Sequence, residues 1–258
     1  MPMTISERRG AVVILTLNNP EKYNAIAGSL LTDLDATFSA AEADPAVRAV
    51  VLTGAGKGFC GGAQLGSATF DAGGSVGDWM RASINPLIEK VRASRLPVVV
   101  AVNGPAAGAG VGLALMGDIV IAARSAKFVL SFVKLGAALD GGSTSFLLRA
   151  IGAPRTRALA LLGEPLSAET AREWGLVWKV VDDADLTLEA LAVADRLAEG
   201  PPVAIGLIKA QLESAWNATL GFALDAEASA QSKAFATHDL REGASAFVEK
   251  RAARFLGR

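Results

Sequence analysis

Apolar and polar positions along the chain follow two alternating periods. Residues 11–18 (AVVILTLN) form an almost unbroken apolar run rich in β-branched side chains, which predicts a buried strand closed by the Asn19-Pro20 turn. Over residues 29–41, Leu30, Leu31, Leu34 and Phe38 recur at helical spacing and predict a helix with one buried face. Residues 47–53 (VRAVVLT) predict the next strand. A helix over 87–95, a strand over 98–103 (VVVAVN), a helix over 111–116 and a strand over 119–123 then follow. Short strands alternating with helices predict an α/β layered core. Beyond Gly152 the pattern changes to short helices over 155–162 and 168–174, a strand over 176–181, and three helical segments from Leu186 onward, broken at Gly200-Pro201-Pro202. We therefore expect a core over residues 1–195 and a helical C-terminal region over 196–258, packed on the core or on another subunit. Residues 65–78 (LGSATFDAGGSVGD) have no clear periodicity. They predict a surface loop or, given their length, a lid that shapes a substrate pocket.

With 258 residues and 51% hydrophobic content the chain can bury one sizeable core. Its net charge is -1, with acids and bases mixed along its length, so neither a nucleic-acid surface nor an acidic tail is expected. The single cysteine, Cys60, excludes an internal disulfide and fits a reducing compartment. No apolar stretch follows a basic start, and the nearest membrane-length candidate, residues 96–116, is interrupted by Asn103-Gly104-Pro105. A soluble cytoplasmic protein is expected. One histidine, His238, and one cysteine leave no Cys/His metal site and no Ser-His-Asp triad, so no metal is expected, and His238 is expected at the surface.

The chemistry concentrates in residues 101–118 (AVNGPAAGAGVGLALMGD). A strand breaks at Gly104-Pro105, and Gly108, Ala109 and Gly110 then leave backbone N–H groups nearly bare at the start of an apolar helix. Such a helix start favours negative charge, and for a developing enolate it would be an oxyanion hole. GAGVG lacks the full spacing of a dinucleotide-binding loop. A second Gly-rich turn, residues 58–63 (GFCGGA), follows the strand over 47–53. Two converging N–H donors are what an oxyanion requires.

The segments LTLNNPEKYNAI, VVLTGAGKGFCGGAQL and AVNGPAAGAGVGLALMGDIVIAARSAKF, joined by LSAETAREWGLV and REGASAFVEKR, resemble the enoyl-CoA hydratase/isomerase (crotonase) family over nearly the whole chain. The resemblance implies an α/β, crotonase-like spiral of ββα repeats with a C-terminal helical oligomerisation region, giving a homotrimer or dimer of trimers. It implies an acyl-CoA thioester as partner, with no cofactor beyond the coenzyme A that enters as part of the substrate. The carbonyl oxygen would lie between the N–H groups of Ala63 and Ala109. Substrate contacts would come from Lys22, Asn24, Gly61, Gly62, Gln64, Leu65, Gly108 and Phe132, and from Phe247 and Lys250 near the C-terminus. An exposed lysine such as Lys22 reads equally as a solvated charge.

The chain also departs from the family. Where its hydratases carry two glutamates, this sequence has Gly112 and Phe132, so the usual paired-carboxylate hydration chemistry is not available. Glu164 lies beyond the site motifs, in a turn. Asp140, in KLGAALDGGSTSFLLR, stands where certain members carry a catalytic aspartate. On the residues alone it reads as a turn or helix-start aspartate, with Ser143 or Thr144 as cap. Flanking segments resemble an isomerase branch that acts on enoyl- and ring-epoxide thioesters, although Leu139 replaces a proline and Ser143 a glycine. The resemblance implies an acyl-CoA isomerase with Asp140 as proton shuttle, its pKa raised beside Phe132 and Leu139. A hydratase-like, hydrolase or dehalogenase member and a non-catalytic acyl-CoA-binding subunit remain alternatives. The acyl group is left open.

Overall fold

The computed structural model describes residues 2–64 and 75–258. Nine strands form two sheets among the described residues. The larger has the order β1 (Thr4–Arg9), β2 (Val12–Leu17), β3 (Ala49–Gly54), β4 (Val98–Val102), β6 (Ile119–Ala123) and β9 (Lys179–Val181). β1 pairs antiparallel with β2, and every later pairing in this sheet is parallel. β5 (Ala106–Ala107), β7 (Lys127–Val129) and β8 (Pro165–Ser167) form the smaller sheet. All five residues of β4, VVVAV, are buried. A parallel strand covered on both faces needs such a continuous apolar run, because every second side chain meets a different layer.

Helix α1 (Leu30–Ala43) packs on β1 and β2 through Leu30, Leu31, Leu34, Phe38 and Ala41, the face expected from their spacing. α2 (Val76–Ala82) and α3 (Ile84–Ala93) precede β4, and α4 (Ala109–Leu115) follows β5 with all seven residues buried. α5 (Ser143–Leu162) contains the expected 155–162 helix as its second half. The two halves meet at a kink where Gly152 leaves helical geometry (φ 74°, ψ 168°). α6 (Ala168–Glu173) and α7 (Leu186–Glu199) complete the core, α7 lying over β3, β4 and β6. α7 runs across residue 195, and the chain leaves the sheet at α8 (Pro202–Ala215), followed by α9 (Leu220–Phe235) and α10 (His238–Glu249).

Four helices, not three, therefore follow Leu186. The extra break comes from Thr219 and Thr237, whose side chains accept the N–H groups of Phe222 and Leu240 and start new helices. Likewise, α2 occupies part of the segment expected to be a loop; Ser75 caps it by accepting the Asp78 N–H. The C-terminal region is tied to the core by one buried and one part-buried contact. Lys209 of α8 donates to Val91 O, Leu96 O and Asp118 Oδ2, each at 2.9 Å. Burial pulls the Lys209 ammonium below the ordinary lysine value, and Asp118 opposes that shift. Arg92 of α3 grips Glu213 of α8 and also donates to Gly117 O at 3.3 Å. Among the described residues no helix is long and apolar enough to cross a membrane.

Candidate active site

Two turns meet beyond the C-terminal ends of β3 and β4. Cys60 N–H donates to Pro105 O (3.3 Å) and Ala107 N–H to Cys60 O (2.9 Å), so residues 59–62 and 105–108 run side by side as a short parallel pair. Ile26 zips the outer side, its N–H on Gly62 O (2.7 Å) and its carbonyl accepting Gln64 N–H (3.0 Å). These bonds consume most local donors. Gly61 N–H is spent on Tyr23 O (2.7 Å) and Gly108 N–H on Val129 O (2.9 Å). Among the described residues no hydrogen bond leaves the Ala63 or Ala109 N–H. Both amides expected to form the oxyanion hole are thus without a protein acceptor among the described residues. The turns lie close together: a Cβ on Gly62 would sit 3.5 Å from the Ala109 nitrogen and 2.6 Å from Ala107 O.

Asn24 does not have the role expected of it. It is fully buried, and its amide is consumed inside the protein. Oδ1 accepts Asn19 N–H at 2.8 Å, and Nδ2 donates to Ala55 O (2.9 Å) and Gly58 O (2.8 Å). Its side chain braces the first turn and is not available to coenzyme A. Asn103 performs the same service from the other strand, donating to Gly56 O (3.0 Å) and accepting from Gly54 N–H (3.1 Å). Lys22 and Gln64 are brought together at the exposed rim of this turn, Nζ to Oε1 at 3.2 Å. Leu65 lies outside the described residues, as do residues 66–74 of the expected lid.

Asp140 sits on the turn that leads into α5. Its carbonyl accepts Ser143 N–H (3.1 Å) and Ser143 Oγ (2.6 Å). The carboxylate, however, caps nothing: Oδ1 is buried without a hydrogen-bond partner, which rules out the helix-start reading. Burial pushes the acid up to about 6 from 3.8. An unpaired carboxylate in a low-dielectric setting is costly to ionise, and this is the expected desolvation effect. Phe132 is buried nearby, its Cζ 3.8 Å from where a Gly108 Cβ would stand, while Leu139 is partly buried against the core.

Gly112 explains how Asp140 is held. A Cβ at this position would lie 1.9 Å from Gly141 O, and a Cβ built on Gly141 would in turn lie 3.4 Å from the Ala109 Cα. The aspartate turn therefore rests directly on the first turn of α4, in the volume that a side chain at 112 would take. Gly112→Ala should cost about 1–3 kcal/mol in thermal unfolding and push Gly141 off α4. An unshifted melting curve would refute the contact.

A cavity of about 520 Å³ opens beside Asp140, walled by α2, α3, the start of α5 and the end of α8. Met80, Asn85, Ile88, Phe146 and Trp216 line it, and none of them was singled out from the sequence. Only the amphipathic face of α3 carried a signal. Phe247 and Lys250 lie elsewhere, at the exposed end of α10, which packs on α9. Glu164 is in the turn between α5 and β8, and His238 opens α10, half exposed. Burial raises the Cys60 thiol to about 12, too high for a thiolate nucleophile. Among the described residues no cluster of His, Cys, Asp or Glu could hold a metal.

A family model described as enoyl-CoA hydratase/isomerase matches residues 7–258. The 1,2-epoxyphenylacetyl-CoA isomerase of Escherichia coli (strain K12) is 44% identical over 261 residues, covering 100% of both chains. A probable enoyl-CoA hydratase of Rhodobacter capsulatus is 38% identical, covering 96% of this chain and 95% of its own. Among solved structures, a putative enoyl-CoA hydratase/isomerase from Mycobacterium abscessus superimposes with a TM-score of 0.93 at 40% identity, covering 99% of this chain and 100% of that one.

Proposed function

The chain belongs to the enoyl-CoA hydratase/isomerase family and has its crotonase-like fold, and within that family we propose that it is an acyl-CoA isomerase with Asp140 as proton shuttle. The thioester oxygen accepts hydrogen bonds from the Ala63 and Ala109 N–H groups, which stabilise negative charge as it develops there. Asp140 removes a proton from C2 of a 3-enoyl thioester. The resulting electron pair delocalises into the oxygen and the adjoining double bond, and protonation by Asp140 at C4 leaves the double bond between C2 and C3. Opening of a ring epoxide beside the thioester would use the same enolate. This chemistry calls on no metal or redox cofactor; coenzyme A enters with the substrate.

One observation carries the reading: a half-buried carboxylate with one buried, unpartnered oxygen, on a turn packed against the residue that supplies an oxyanion donor. A hydratase needs carboxylates that hold and activate water, and Gly112 and Phe132 supply none. The exposed Leu212, Leu220, Phe222, Leu224 and Phe235 of α8 and α9 support burial of this face against another subunit, as the proposed homotrimer or dimer of trimers requires.

The working form of the base is the carboxylate, so kcat/KM for conversion of 3-hexenoyl-CoA to 2-hexenoyl-CoA should be level above the Asp140 pKa. Below about 6 it should fall roughly tenfold per pH unit. A product with water added across the double bond, or a profile flat well below pH 6, would overturn the assignment.

A further inference from the structure

Taking Asp140 as the base, we propose that the cavity beside it selects acyl groups bearing an uncharged oxygen beyond the reacting carbons, and that the Asn85 side-chain amide recognises that oxygen. The thioester carbonyl is anchored at Ala63 and Ala109 and the reacting carbons lie against Asp140, so the remainder of the acyl group extends into the 520 Å³ space that Asp140 borders. Asn85, Ile88, Glu89 and Arg92 fall at i, i+3, i+4 and i+7 on α3 and present one face to that space.

The wall is divided in its chemistry. Met80, Ile88, Leu139 and Phe146 are apolar and suit the carbon frame. The cationic groups at the far end are already engaged. Arg92 holds Glu213 and lies 4.7 Å from the Trp216 ring, while Arg149 donates to Ser145 Oγ (2.6 Å) and Asn217 Oδ1 (2.9 Å) and stacks on the same ring at 4.1 Å. A carboxylate tail would have to displace these partners and would also face Glu89. Asn85 differs from them. It is half-buried, and among the described residues its amide has no hydrogen-bond partner. Thr144 and Glu89, also without a hydrogen-bond partner among the described residues, are exposed at the rim. A polar group held in a pocket without a partner favours the ligand that satisfies it and penalises the one that does not.

The test compares thioesters of matched length: 5-hydroxy-3-pentenoyl-CoA, 3-hexenoyl-CoA, and a 3-enoyl-CoA ending in a carboxylate. The unmodified enzyme should prefer the hydroxylated substrate by about tenfold in kcat/KM. Asn85→Leu and Asn85→Ala should both abolish that preference by slowing the hydroxylated substrate alone. No preference in the unmodified enzyme, an equal loss on both neutral substrates, or a preference for the carboxylate would each overturn the proposal. Calorimetric binding of the saturated 5-hydroxypentanoyl-CoA and hexanoyl-CoA separates this from the catalytic reading. If no thioester is isomerised, the assignment of Asp140 fails, and the difference in binding between Asn85 and its variants still decides the recognition.

Discussion

Asp140→Asn should slow double-bond migration by a factor of about 100 to 10,000, the usual contribution of a positioned general base. Its effect on KM should be small, because the proposed thioester contacts are chiefly backbone amides that the substitution leaves in place. The same change should make the protein more stable at neutral pH. The folded-state pKa of Asp140 is raised to about 6 from 3.8, so between these values the native protein binds the proton more tightly than the unfolded chain. Stability conferred by that proton is complete below about pH 4 and is lost as pH rises through 6. Asparagine does not titrate and keeps its contribution. The variant should therefore exceed the parent by about 1 kcal/mol at pH 8, a figure reduced for the carboxyl's partial exposure, and by nothing near pH 4. Urea midpoints at the two pH values check the sign. A parent as stable as the variant at pH 8 would show that Asp140 is not held against a desolvation cost.

Lys209→Met should cost about 3–5 kcal/mol of unfolding free energy, measured as a lower urea midpoint. The ammonium is the shared donor to two backbone carbonyls and to Asp118, and its side chain is 7% exposed. Removing it leaves those acceptors buried and one carboxylate without its cation. Asp118 still accepts the Val98 N–H at 2.8 Å, so the added Asp118→Asn substitution should recover part of the loss. A single variant as stable as the parent would mean that α8 does not depend on this anchor.

The Gly-rich turns were legible because a strand running into Gly108-Ala109-Gly110 admits few other conformations, and the Ala63 and Ala109 amides lie unspent where the motifs fall. The expectation for Asp140 came only through family resemblance; the Asp-Gly pair alone reads as a turn, and nothing local announces an unpaired carboxylate oxygen. Asn24 was misread because its partners, Ala55 O and Gly58 O, lie more than thirty residues away, a distance that no pattern encodes. The cavity was illegible for the same reason, its wall being assembled from α2, α3, α5 and α8. β1 escaped notice because TISERR is an edge strand with one buried residue, so it carries no alternation of buried and exposed positions to read.

The contact between position 112 and Gly141 carries a consequence for how catalysts on this scaffold diverge. A glutamate at 112 and this aspartate turn would claim one volume, so they are exclusive occupants and not independent additions. A single substitution at 112 would not deliver a water-adding enzyme; it would dismantle the turn that holds the proposed base before a new one could work. Any route between the two chemistries must first retract the 140–142 turn. The order of steps matters as much as their identity.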